Sequence, residues 1–263
     1  MKVNILVDND KCWNLNIIKR LIPYLNSHGI QINHIWILPK KLSKYSGLKI
    51  SLWYLQTFGI IVFLKLVFFY FLVSINNLIS GINNFEDLAN KYKIKFNFIK
   101  SPNEKILFNK TKLNKVKYSI IMTDHILNGK ILKIKKHYFI NKHASLLPSF
   151  KGLMPYFWTK IMGEKNGVSF HLVNEKIDKG KIIYQKAFNK KFNSMIEFYL
   201  YVFNRYPYDL VKSINNLEKK KFLKPFYKSS YYSLPKKNQY FQFLGKGGKI
   251  ILISDFFKLN KLV

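Results

Sequence analysis

The residues best suited to chemistry lie in the run Ile140-Asn141-Lys142-His143-Ala144-Ser145-Leu146-Leu147-Pro148. If a strand continues this far, Asn141 and His143 emerge two apart on one face, near its carboxyl end. An amide N–H there suits a developing oxyanion, and an imidazole with an ordinary pKa of about 6.5 can exchange a proton with an attacking amine. A core histidine beside a turn asparagine would read the same. Further on, Lys176-Ile177-Asp178-Lys179-Gly180 offers a carboxylate in a chain with only 13 acidic residues. Close to His143 it would orient the ring and hold its proton. On its own it is a hairpin connection, and spacing does not bring the two segments together.

The elements that would carry these groups follow an alternating pattern. Val3 to Val7 is a short apolar run broken by Asp8, Asn9 and Asp10, and Leu15 to Leu25 is apolar at helical spacing. Gly29 ends that helix, and Ile30 to Leu38 reads as a second strand. A helix at 85–91, strands at 94–99 and 118–122, and a strand begun at Phe139 and ended by Pro148 continue the alternation. Met154 to Met162 predicts a short helix closed by Gly163. Val168 to Val173 and Ile182 to Phe188 predict paired strands, and Met195 to Leu217 an amphipathic helix. The fold class is therefore α/β with an open, mostly parallel sheet, whose ligands sit at the carboxyl ends of the strands. No G-x-G-x-x-G follows the first strand, so a dinucleotide site is not expected there.

Composition limits the function classes. A chain of 263 residues with 48% hydrophobic and 17% aromatic residues has ample material for a core, which excludes disordered and collagen-like chains. One cysteine, Cys12, excludes an intrachain disulfide and a Cys-rich zinc site, and no histidine pair has metal-ligand spacing. With no signal-peptide pattern at its start, the sequence is expected to be cytoplasmic. The 45 basic residues give a net charge of +32, but only Arg20 and Arg205 are arginines. Bidentate recognition of bases and phosphates favours arginine, so the charge reads as compositional bias more than a nucleic-acid footprint.

Leu52 to Ile75 is almost wholly apolar, broken by Gln56, Thr57, Gly59, Lys65 and Ser74. It is long enough for a membrane span, but Lys65 near its middle would cost about 2.5–3.5 kcal/mol. Two helices broken at Gly59, packed on the domain or lying on a membrane surface, fit better than a span.

The ordered motifs N-x-H-x-S-L-L-P, Gly163-Glu164, Gly167-Val168-Ser169-Phe170-His171 and Ile177-Asp178-Lys179-Gly180-Lys181-Ile182-Ile183 resemble the folate-dependent formyltransferase family over residues 118–188. Asp8-Asn9 with Trp13 beyond looks like members that formylate sugars. The resemblance implies a Rossmann-like formyltransferase domain over residues 1–217, with an apolar helical insertion at about 50–82 and a C-terminal extension over 218–263.

It further implies 10-formyltetrahydrofolate as formyl donor and a small-molecule amine as acceptor, most like a nucleotide-linked amino sugar. Asn141 would stabilise the oxyanion, His143 would be the catalytic histidine, and Asp178 the aspartate beside it. Met122, His125, Ile126 and Leu127 match the segment that lines the pterin pocket, and Ser145 and Lys151 would face the substrate. Ala144 departs from the proline common after the histidine, and Lys142 is unusually polar between the two catalytic positions. Three alternatives remain open at this point: transfer to initiator methionyl-tRNA, hydrolysis of the donor, and an inactive fold attached to a membrane or nucleic acid. The apolar helices and aromatic tail would also suit a homodimer interface.

Overall fold

The computed structural model describes residues 1–114 and 116–261. In chain order the elements are β1 (Lys2–Asp8), α1 (Asn14–Ser27), β2 (Gln31–Leu38), a two-strand hairpin β3 (Lys41–Leu42) and β4 (Tyr45–Ser46), α2 (Leu48–Phe58), α3 (Ile60–Ile79), α4 (Phe85–Lys91) and β5 (Lys95–Phe98). There follow α5 (Lys105–Leu113), β6 (Tyr118–Met122), a 3-10 turn (Gly129–Lys133), β7 (Tyr138–His143), β8 (Lys151–Gly152) and α6 (Pro155–Met162). The chain continues through β9 (Gly167–Leu172), β10 (Ile182–Ala187), α7 (Met195–Glu218), β11 (Tyr231–Tyr232), α8 (Lys237–Gly245) and a 3-10 helix (Ile253–Lys261).

Seven strands form one sheet in the order β10-β9-β7-β6-β1-β2-β5. The five from β7 to β5 are parallel, and β9 and β10 add antiparallel at one edge. Because helices cover both faces, the central strands are buried on both sides and read as continuous apolar runs. Successive residues of β1 go to opposite layers: Val3, Ile5 and Val7 join the core beneath α1 and α7, while Leu6 joins the second layer with Trp36, Leu107 and Phe139. The same alternation in β7 places Ile140 in the first layer and Phe139 in the second.

Local chemistry starts and stops the long helices. The Asp10 carboxylate accepts from the Cys12 and Trp13 backbone N–H groups at 2.8 and 3.0 Å at the entry to α1, and Leu15, Ile18, Leu21, Ile22 and Leu25 form its buried stripe. Ser194 caps α7 by accepting from the Glu197 N–H, while the Glu197 carboxylate accepts from the Asn193 N–H. In α3, Leu66, Phe69, Val73 and Asn77 are buried and the other faces are largely exposed. Gly59, at φ +81°, separates α2 from α3 as its place in the sequence predicts. No sequence pattern announces α5 or α8. The tail joins the main core, with Tyr240, Phe243, Ile250 and Ile251 all buried in it.

Candidate active site

β7 runs through His143, so Asn141 and His143 share the face of the sheet that bears Phe139. Both border a cavity of about 900 Å³ at the carboxyl ends of β1, β6 and β7. β9 pairs antiparallel with β7, and its register sets His171 directly beside Asn141. Beyond β9 the chain doubles back, bringing Asp178 to the same place. The turn is tight: a Cβ on Gly180 would collide with the Leu172 carbonyl, so only glycine passes there. Asp178 sits at φ +51°, a left-handed conformation that aspartate tolerates.

The Asp178 carboxylate lies between two imidazoles. Its Oδ2 is 3.5 Å from His143 Nδ1, and its Oδ1 is 3.4 Å from His171 Nε2. Oδ2 also accepts from the Gly152 N–H at 2.8 Å. Burial by itself would raise this carboxyl's pKa, but the two rings and the backbone donor hold it well below the usual carboxylate range. On the other side of His143, Nε2 lies 2.7 Å from the Phe150 carbonyl and must donate to it, so the neutral ring carries its lone pair on Nδ1, facing Asp178. Burial pushes the His143 pKa down, against the opposing pull of Asp178. In its neutral form the ring can take a proton on Nδ1, beside the carboxylate.

The segments on either side are pinned. Ser169 Oγ donates to the Ser145 carbonyl at 2.6 Å and accepts from the Leu147 N–H and the Gln185 amide, which fixes the loop after β7. β8 pairs with β11, so the tail holds Gly152 in place against Asp178. Gly152 has φ +94°, and a Cβ there would run into the Tyr232 carbonyl.

Lys142 faces the opposite side of β7, its ammonium 4.6 Å from the Phe203 ring centre on α7. Burial lowers its pKa to about 8, with Asp124 opposing. Asp8, at the end of β1, is pushed up to about 7, chiefly by burial. Its carboxyl accepts from the Thr123 hydroxyl and, at 3.2 Å, from the Asp124 N–H.

The structure thus brings Asn141, His143 and Asp178 together at one cavity. Met122, His125, Ile126 and Leu127 border the same cavity along the loop after β6, although the Leu127 side chain is buried in the second core layer. Ser145 and Lys151 are not on the cavity wall. The Ser145 hydroxyl donates inward to the Ser149 carbonyl at 2.7 Å, and the Lys151 ammonium donates to Ser229 Oγ at 2.7 Å, so both serve the loop that carries His143 and Gly152. In the sequence His171 stands only as the last residue of the Gly167–His171 motif, with no role given to it; the β7–β9 register reveals it as a second imidazole on Asp178.

Residues 110–192 match the model of the formyl transferase family. Over 68 residues the chain is 44% identical to methionyl-tRNA formyltransferase of Thermodesulfovibrio yellowstonii, covering 26% of this chain and 22% of that protein. The chain thus matches only about a fifth of the length of that curated relative. A sugar N-formyltransferase from a Shewanella species superimposes with TM-score 0.55 at 15% identity, covering 94% of this chain and 87% of that one. A sugar 3N-formyl transferase, determined in the presence of dTDP and 5-N-formyl-THF, does so with TM-score 0.52 at 18% identity over 89% of this chain and 69% of that one. The architecture is the formyltransferase fold, and residues 110–192 carry that family's sequence pattern. Within the fold, the sugar N-formyltransferases are among its structural neighbours.

Proposed function

We propose that this protein transfers a formyl group from 10-formyltetrahydrofolate to the amine of a small molecule, a nucleotide-linked amino sugar in the reading the site supports best. The observation that carries this is the convergence of Asn141, His143 and Asp178 from separate segments on one cavity. A volume of about 900 Å³ lies within the usual range for small-molecule sites, and its wall combines apolar and aromatic side chains with many polar and charged ones. The loop bearing Met122, His125 and Ile126 would hold the folate, which supplies the formyl carbon. The neighbour solved with dTDP and 5-N-formyl-THF supports both the donor and the acceptor class.

The residues divide the work as follows. The Asn141 amide N–H donates to the formyl oxygen as negative charge develops on it. His143 Nδ1 takes the proton released by the attacking amine, and Asp178 at 3.5 Å stabilises the imidazolium. The protonated ring then stabilises the negative oxygen beside Asn141 and, as the bond between the formyl carbon and the folate nitrogen breaks, returns its proton to that nitrogen, so that tetrahydrofolate leaves and the formylated amine remains. Since the acceptor brings its own nucleophile, the protein needs none.

Transfer to methionyl-tRNA is the second reading, favoured by the 44% identity over 68 residues and by the +32 charge. Within the tail, Tyr240, Phe243, Ile250 and Ile251 pack into the main core. A screen of nucleotide amino sugars with 10-formyltetrahydrofolate, read as mass gain of one formyl group, tests the proposal. Gain on a nucleotide amino sugar with turnover insensitive to salt supports it. Formylation only of methionyl-tRNA, with binding that falls steeply as salt rises, overturns the acceptor assignment.

A further inference from the structure

Helix α3 is apolar on two sides, and the protein packs chiefly one of them. Its inner stripe is packed: Phe69 stacks on Trp13 with ring centres 5.5 Å apart, and the Asn77 amide donates to the Lys11 carbonyl at 2.9 Å. Its outer stripe, Ile61, Leu64, Phe71, Ile75 and Leu78, follows helical spacing and is exposed, with Phe71 at 55% and Leu78 at 67%, while Phe68 beside it is half covered by an edge contact with Phe256. From Ile61 to Leu78 this stripe is about 26 Å long, far more than scattered apolar surface. Leu52 on α2 adds to the exposed apolar surface.

Charge decides what covers it. From residue 41 to residue 82 the chain has four lysines, Lys41, Lys44, Lys49 and Lys65, and no acidic residue. A second copy would bring one +32 chain against another. An anionic bilayer meets both features at once, because lysine stems lie along apolar surface while their ammonium groups reach the headgroups. A spanning orientation is excluded by the inner stripe, since α3 would have to leave Trp13 and the Lys11 carbonyl to cross.

We propose that α3 lies along the surface of an anionic lipid bilayer, its outer stripe in the acyl boundary and the lysines of residues 41–65 at the phosphates. Phe63, Leu66, Val67 and Tyr70 of the same helix border the catalytic cavity, so docking sets the cavity at headgroup level. This inference does not depend on the proposed reaction.

The test is flotation of the full chain with vesicles of equal phosphatidylglycerol and phosphatidylcholine, against vesicles of phosphatidylcholine alone. The protein should float with the anionic vesicles. The triple variant Leu64→Ser, Phe71→Ser, Ile75→Ser should lose at least tenfold in bound fraction, with an unchanged circular dichroism spectrum. Lys44→Glu with Lys49→Glu, at two exposed positions outside the core, should lower binding to the anionic vesicles and serves if the triple variant does not fold. Wild-type protein that stays unbound on anionic vesicles, or variants that float as wild type does, would overturn the proposal. So would a wild-type dimer that ignores vesicles and that the triple variant converts to monomer, because a second copy would then cover the stripe.

Discussion

Replacing Asp178 by asparagine isolates the charge between the two imidazoles while keeping the shape of the side chain. The asparagine oxygen can still accept from the Gly152 N–H, so the turn should hold and the melting temperature should change by no more than a few degrees near neutral pH. What is lost is the attraction between a carboxylate and the imidazolium that forms when His143 takes a proton, across 3.5 Å. At an effective dielectric constant of about 20, that attraction is about 5 kcal/mol, of which an amide dipole would return about 1 kcal/mol. A net loss of about 4 kcal/mol in the transition state corresponds to about a thousandfold in kcat/KM. Asp178 also raises the His143 pKa against the effect of burial, so its removal should move the acid limb of the pH profile to lower pH. The assay is steady-state formyl transfer to the accepted amine, measured across pH. A variant within tenfold of wild type, with an unmoved acid limb, would refute the assignment of Asp178 as the partner of His143.

Two further outcomes follow from the site. Asn141→Ala removes the only role proposed for an uncharged donor and should lower kcat by about 10²–10³ with the fold intact, as read by turnover and circular dichroism. Asp8 has a folded-state pKa raised to about 7 against about 3.9 when unfolded, so its contribution to stability is fully present below about pH 3.9 and is lost as pH rises through 7. Asp8→Asn should therefore be more stable than wild type at pH 8, by up to about 4 kcal/mol, and the difference should vanish near pH 4; urea melts at the two pH values measure it.

The core of the α/β pattern was legible because strands buried on both faces are written as continuous apolar runs and helices as stripes. β1, α1, β2, β6 and α7 fall where apolar spacing places them, and the Gly59 break divides α2 from α3 as expected. α5 and α8 were not legible, since each is short and buries only two residues, too few to set a period. The tail likewise showed lysines, aromatic residues and proline breakers without a period, although Tyr240 and Phe243 reach the main core.

The sequence alone determined which side chains could react: an amide and an imidazole two apart share a strand face because side-chain direction alternates with every residue. It also determined that the apolar stretch around α3 forms helices interrupted at a glycine. The tertiary structure alone decided that Asp178 stands between His143 and His171, because that meeting depends on the antiparallel register of β9 against β7 and on a turn so tight that Gly180 admits no side chain. It decided equally that Ser145 and Lys151 support the loop and do not face the cavity. Contacts between residues far apart in the chain arise from packing whole elements together, and no local spacing carries that information.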